Sequence, residues 1–333
     1  MFKIKKILCA TVAFSLLLAA FAPLKSFAED NVKTENTDEV LATYYEDTIA
    51  PVSSFYGNSK EERAVPGVKD KLYYTLPGIV SRRIDSLPNL KATVNGKNLS
   101  KPAVMMNGIV YLPLRAAAAA LGNATVSYDK STRVATLRLP GLELQASDGG
   151  FVVYANNRVL FGFSPSVMMS DGSMYICASI FAKATGTAFT KGAGSVSVDG
   201  RLRPIAPAAE YYRSDEVLWL SRIIQAESGG ESLIGQIAVG NVIMNRVDSP
   251  SYPNTIWGVI FDRRYGVQFS PILNGSIYNT PSFTSTLAAK IILEGVRLDK
   301  EVLFFLNPIY SQSGWIVNNR PYAYSIGGHD FYR

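Results

Sequence analysis

The sequence predicts a multidomain α+β protein: a duplicated small α+β module followed by a mainly helical domain. Two observations carry this. Residues 91–200 contain an internal repeat in which each copy runs strand, Ala-rich helix, hairpin. From about residue 214 the apolar spacing changes to steps of three and four, the stripe of core-facing helices.

The chain opens on Lys3, Lys5 and Lys6, then an apolar run from Ile7 to about Phe21, then Ser26, Phe27 and Ala28. This is the pattern of a secretory signal peptide, residues 1–28, cleaved after Ala28. Cleavage leaves about 305 residues, enough for two or three domains. The removed segment carries four lysines and no acid, so the formal charge of +6 falls to about +2. The basic balance is thus partly a targeting effect, and no nucleic-acid partner is expected. No membrane partner is expected after cleavage. Residues 29–90 begin with seven acids against the single Lys33 in 29–48, and are broken by Pro51, Pro66, Pro77 and Pro88. They are expected to be an acidic, polar spacer. "KLYYTLPG" within them is a strand, a docking segment or simply part of that spacer.

In the repeat, "PAVMMNGIVYLPLRAAAAALG" from Pro102 aligns with "PSVMMSDGSMYICASIFAKATG" from Pro165. Val104, Met105 and Met106 match Val167, Met168 and Met169; Tyr111 matches Tyr175 and Gly122 matches Gly186. Hairpin patterns follow, "TVSYDKSTRVATLRL" with its turn at Asp129-Lys130 and "AFTKGAGSVSVDG" with a Gly-rich turn. Of two cysteines only Cys177 survives cleavage, so no intramolecular disulfide forms, and its strand-to-helix setting reads as packing.

In the helical region, Asp215 and Glu216 suit the first turn of a helix that Gly229-Gly230 ends. A second helix is expected from about Ser232 to Val247, with Gly235 and Gly240 permitting close approach. Asn254 is a candidate cap for a third, "TIWGVIFD", and Ser282 for a fourth, "FTSTLAAKIILEGVRL". "VLFFL" (302–306) reads as a short buried run before an aromatic, loop-rich tail of the kind that builds a binding surface.

Glu227 lies three residues after Ile224, on the apolar stripe that Val217 and Leu220 begin, in the helix's last turn. Lost hydration and the negative end of the helix dipole both favour the protonated carboxyl. A carboxyl shifted to about 6 can act as a general acid near neutral pH. The alternative is a glutamate that reaches sideways to Arg222 or Arg246.

The stretch "RIIQAESGGESLIGQIAVGNVIMNRVDSPSYPNTIWGVIF" is very similar to the SleB-type spore cortex-lytic, or cell wall hydrolase, family. "QFSP" (268–271), "FLNP" (305–308), "SGWI" (313–316) and "SIGGHDFY" (325–332) extend the resemblance over about 214–333, in one order. Ala226 stands where the family often has Gly. The resemblance implies a lysozyme-like catalytic domain, residues 205–333, in a secreted enzyme of the wall or spore. Its activity would be cleavage of the MurNAc-GlcNAc bond of peptidoglycan as a lytic transglycosylase giving 1,6-anhydro products. Glu227 matches the family's catalytic acid and Glu231 the second acid of the motif, expected ionised at the next helix's N-terminus. A water-using muramidase and a non-catalytic wall-binding protein are the alternatives. The first repeat copy resembles the copper amine oxidase N-terminal-like stalk domain, which implies a wall-associated or spacer module over 91–200 and no redox chemistry.

Gln268 and Ser270 are candidates to bind N-acetyl groups, Phe269 to stack on a sugar face, and Asn307, Trp315 and Tyr324 to line the cleft. His329, the only histidine, either orients Glu227 or packs beneath "FY". A zinc site built from His and Cys is therefore not available, and no metal or cofactor is expected. The expected partners are peptidoglycan glycan strands, in cell wall or spore cortex.

Overall fold

The computed structural model describes residues 88–333, apart from 171, 312 and 313, and the backbone of 63–68 and 71–75. The signal peptide and most of the acidic spacer lie outside the described residues. Arg63–Val68 (β1) and Lys71–Thr75 (β2) form an antiparallel pair, so "KLYYT" is a strand.

The two repeat copies do not make two separate domains. Ala103–Met106 (β5) and Ile109–Pro113 (β6) form a hairpin leading into the helix Leu114–Leu121 (α1). Val167–Ser170 (β12) and Ser173–Cys177 (β13) do the same into Ala178–Thr185 (α2). The hairpins join edge to edge, with Cys177 opposite Tyr111 and Ile176 opposite Leu112. The Tyr111 hydroxyl donates to Pro165 O at 2.9 Å, tying the start of one copy to the end of the other's hairpin. Asn89–Val94 (β3) continues the sheet beyond β5, flanked by the short Lys97–Asn98 (β4). Beyond the hairpin and helix the copies diverge. Ala188–Lys191 (β14) and Ser195–Asp199 (β15) add to this same sheet, β15 pairing with β3 in parallel. Thr125–Asp129 (β7) and Val134–Leu139 (β8) instead enter a second, five-stranded meander. Leu142–Ser147 (β9), Val152–Ala155 (β10) and Arg158–Phe161 (β11) complete it, in the order β11-β10-β9-β8-β7.

At the β10–β11 end the meander is buried on both faces, and strand alternation explains how. Val153, Ala155 and Leu160 point into the core of the β module. Val152, Tyr154, Val159 and Phe161 point the other way, into a core shared with the helices that follow. The module is thus docked against the helical region, where the sequence implied a spacer.

The helices are Ala208–Tyr211 (α3), Ser214–Ser228 (α4), Leu233–Asp248 (α5), Ile256–Ile260 (α6), Ser270–Asn274 (α7) and Phe283–Leu293 (α8). The expected α4 and α5 form, and Ser232 caps α5 by accepting from Gly235 N at 3.2 Å. Ser282 caps α8 as expected. The cap of α6 is Thr255 rather than Asn254, its hydroxyl accepting from Gly258 N at 3.0 Å. α4, α5 and α8 meet at Gly240, where a β-carbon would run into Ile292 and Ile224. Gly235 has a different role: it leaves room for Glu231. The tail is more regular than its loop-like composition suggests. Phe304–Leu306 (β16), Tyr322–Ile326 (β17) and His329–Tyr332 (β18) form a sheet in the order β16-β18-β17, with the short helix Gly314–Asn319 (α9) between. No helix of the described residues is long and apolar enough to cross a membrane.

A buried ionic cluster joins module and helices. Glu294, 3% exposed, follows α8 and accepts two bonds of 2.8 Å from the Arg158 guanidinium on β11. Tyr212 Oη donates to it at 2.7 Å, and Lys183 Nζ lies 3.4 Å away. A bidentate, desolvated pair of this kind is stable only while both partners remain. Glu294→Gln is therefore expected to cost about 3–5 kcal/mol by leaving Arg158 buried without its countercharge. A paired apolar replacement, Arg158→Met with Glu294→Leu, should recover much of the loss. Thermal or urea unfolding of the three proteins checks this, and equal midpoints would refute it.

Candidate active site

α4 delivers Glu227 to the floor of an open cleft of about 1280 Å³. The helix ends one residue later, and Gly229 and Gly230 turn the chain so that Glu231 directly precedes the cap of α5. Glutamine side chains fix this turn. Gln225 Oε1 accepts from Ser282 N at 2.8 Å and from the Ser285 hydroxyl at 3.0 Å, and Gln236 Nε2 donates to Glu231 O at 3.0 Å. Ser285 also lies 2.8 Å from Gln236 Oε1, so α4, α5 and α8 are cross-linked beneath the turn.

Among the described residues the Glu227 carboxyl takes no hydrogen bond or ion pair. Burial pushes its pKa up from 4.5 to about 7, against the smaller opposing pull of the Arg246 guanidinium. Such a carboxyl stays protonated over part of the range in which an ordinary glutamate is ionised. Arg246, from the last turn of α5, is 6% exposed. Its Nε donates to Leu303 O at 2.8 Å, and its guanidinium packs over Tyr252, Phe269 and Phe304.

Glu231 is held differently. Its Oε1 accepts from Gly328 N at 3.1 Å and lies 3.3 Å from His329 Nδ1. His329 is 6% exposed and stands edge-on to Phe305. Its ring thus lies beside Glu231 and packs among the aromatic rings, with Nδ1 making no hydrogen bond among the described residues.

The binding candidates divide. Gln268, Ser270 and Asn307 line the cleft, as does Trp315, 55% exposed on its wall. Phe269 also reaches the cleft but is 2% exposed, stacked on Phe305 and covered by Arg246, so its ring offers no face to a sugar. Tyr324 lies outside the cleft lining and stacks on Phe331 in the small sheet. In β17 its side chain belongs to the core formed with α5, a strand register that loop-like composition hid. Sequence reasoning missed the cleft residues Tyr252, Asp262, Tyr265, Tyr310 and Arg320, and gave Arg246 only a structural role. The "NR" of "VIMNR" was its one signal: an arginine among apolar residues in a helix's last turn.

Residues 230–332 match the Cell Wall Hydrolase family, and residues 93–198 match the copper amine oxidase N-terminal domain family. The C-terminal domain belongs to the cell wall hydrolase family. The spore cortex-lytic enzyme of Bacillus cereus is 38% identical over 120 residues, 36% of this chain and 45% of that protein. The spore cortex-lytic enzyme of Bacillus subtilis is 33% identical over 120 residues, covering 38% of that protein. The chain thus spans less than half the length of these curated relatives. The catalytic domain of the germination-specific lytic transglycosylase SleB from Bacillus anthracis is 36% identical. That alignment covers 38% of this chain and 100% of that one, with a TM-score of 0.34. The copper-named module does not fit copper: it contains no histidine, and its one cysteine, Cys177, is buried with Sγ 3.2 Å from the Ser179 hydroxyl. Among the described residues of module and hydrolase domain, no three His, Cys, Asp or Glu side chains gather into a ligand cluster.

Two tests follow from the hydrolase cleft. Gly327 has φ +59°, and a β-carbon there would run into Glu231 Oε2. Gly327→Ala is expected to displace Glu231 and cost about 1–3 kcal/mol; an unchanged thermal midpoint would refute the seat described. For Glu227 the sign follows from its raised pKa. Between pH 4.5 and about 7 the native state binds more protons than the unfolded chain, so this group's contribution to stability falls as pH rises through that window. Glu227→Gln removes the effect. Its midpoint relative to the parent protein should therefore rise across the window and level off above it. A pH-independent difference would show that Glu227 is not desolvated.

Proposed function

We propose that the hydrolase domain cleaves the MurNAc-GlcNAc glycosidic bond of peptidoglycan as a lytic transglycosylase, with Glu227 as its single acid and base. The observation that carries this reading is the desolvated, unpaired Glu227 carboxyl on the floor of an open cleft, its pKa raised to about 7. Protonated Glu227 gives its proton to the bridging oxygen as the bond to the MurNAc C1 breaks. The resulting carboxylate then takes the proton of the MurNAc C6 hydroxyl as O6 bonds to C1, closing a 1,6-anhydro ring and restoring the acid. No water is consumed. Family membership and the names of the similar proteins support peptidoglycan as substrate, with spore cortex as one form of it.

Gln268, Ser270 and Asn307 supply polar contacts along the cleft, and Trp315 an exposed ring for a pyranose face. Glu231 acts as the support of the Gly327-Gly328 turn, held by Gly328 N and His329. The β module, with its two hairpin–helix units read as an internal duplication, positions the enzyme at the wall after secretion.

Digestion of purified peptidoglycan and cortex, with mass analysis of the fragments, tests the reading. Glu227→Gln should lower the rate by at least about 10²–10⁴-fold, because Gln keeps the shape but cannot donate a proton. Wild-type products should be lighter by one water than hydrolysis products, and the rate should fall as pH rises past about 7. Hydrated products would establish a muramidase instead. Full activity in Glu227→Gln would overturn the assignment.

A further inference from the structure

A guanidinium that is 6% exposed and has no carboxylate within ion-pair distance is costly to bury. Arg246 is such a group among the described residues, and the groups around it are identifiable. Glu227 at the end of α4, Tyr252 after α5 and Asp262 after α6 line the same cleft as Arg246, and their charges act on it. Leu303 O and the rings of Phe269 and Phe304 close the remaining sides. Asp262 is already engaged, its carboxylate bonded by Arg264 Nε and Nη2 at 2.9–3.1 Å. Glu231 is committed to Gly328 and His329. Arg320, at the cleft's rim, stacks over Phe304 and Trp315. Tyr265 and Tyr310 are exposed phenols. This leaves Glu227 as the one cleft carboxyl in reach of Arg246 without a partner of its own.

We propose that Arg246 is a positioning residue for the reaction: a fixed, buried countercharge to the Glu227 carboxylate that each catalytic cycle generates. The inference rests on the function proposed above. When Glu227 hands over its proton, a negative charge is left where water is scarce and the end of α4 disfavours it. A preorganised cation stabilises that charge as it forms, without any reorganisation at the moment of reaction. Arg246 sits at the C-terminus of its own helix, which favours a cation, and the Leu303 carbonyl and three aromatic faces hold its plane. It exchanges no proton, since a guanidinium stays charged throughout. Because it lies within electrostatic reach but makes no direct bond, it leaves Glu227 protonated in the resting enzyme while lowering the cost of ionising it.

The test uses the full chain and the variants Arg246→Gln and Arg246→Lys, with pH profiles of peptidoglycan lysis. In Arg246→Gln the alkaline limb should move up by about one pH unit, because the cation that eased ionisation is gone. The maximal rate should fall about tenfold or more. Arg246→Lys keeps the charge and should keep the limb near its wild-type position. A folded Arg246→Gln that loses rate with its limb unmoved has only a packing role for Arg246, and the proposal fails. If Arg246→Gln does not fold, Arg246→Lys decides: an upward limb shift despite the retained charge overturns the proposal. Titration of the ¹³C-labelled Glu227 carboxyl by NMR in the same proteins reads the effect without activity. Should Glu227→Gln still lyse peptidoglycan, the function reading fails. The NMR titration continues to report on the Arg246–Glu227 coupling by itself.

Discussion

The structure depends on a half-buried carboxyl held without a bonded partner at the end of a helix, facing an open cleft. Both requirements oppose the ordinary behaviour of glutamate, which would ionise or find a partner. The surrounding architecture meets them by committing several of the polar groups nearby. Gln225 Oε1, Gln236 and the Ser285 hydroxyl bond to one another and to the turn rather than to Glu227. Glu231, four residues on, is fastened to a different turn by Gly328 N and His329. What remains facing Glu227 is Arg246, near enough to act on its charge and not bonded to it.

α5 organises most of this, and it does so with buried polar residues. Asn241 donates to Val296 O and accepts from Leu298 N, each at 2.8 Å. Asn245 donates to Asp299 O and Val302 O at 2.8 Å, and Arg246 donates to Leu303 O. An irregular segment from 296 to 303 therefore gains its backbone partners from a helix face, as buried carbonyls and amides must. That segment leads directly into β16, whose Phe304–Leu306 forms one wall of the cleft. One helix thus holds the floor cation and fixes the wall.

Local signals made the helices and the acid legible in the sequence. Glu227 was visible because a carboxylate on an apolar stripe violates the pattern around it, and α4, α5 and α8 because periodicity and caps agreed. The small sheet was not legible. β17 and β18 pair around Gly327-Gly328 within an aromatic-rich tail, and nothing local distinguishes that from a loop; hence Tyr324 was placed in the cleft when it belongs to the core. Phe269 was misread for the opposite reason: "QFSP" looks exposed, yet Arg246 and Phe305 cover the ring. The docking of the β module escaped because it depends on residues 136 positions apart, Arg158 and Glu294. The two hairpin–helix units are those that the sequence aligns as a repeat. Its two hairpins share a sheet through the β6–β13 pairing, which is long-range information.

Two glutamates of the hydrolase domain, the buried Glu294 and the half-buried Glu227, contrast in what their surroundings accomplish. Glu294 receives the Arg158 fork, the Tyr212 hydroxyl and the nearby Lys183 ammonium, which is the full complement a desolvated carboxylate needs. With its charge satisfied it can only be structural, and it clasps module to helices. Glu227 lies on the same helical scaffold with no donor bonded to it, so the charge is refused and the proton retained. The fold evidently supplies partners for a buried carboxylate where adhesion is wanted. Their lack at Glu227 is therefore a property of that site and not a shortage of donors. Arg246 refines the point, since a cation bonded directly to Glu227 would have made it another Glu294. Held back by the Leu303 carbonyl, it leaves the carboxyl protonated, and in the mechanism proposed above it lowers the cost of the anion that proton transfer creates.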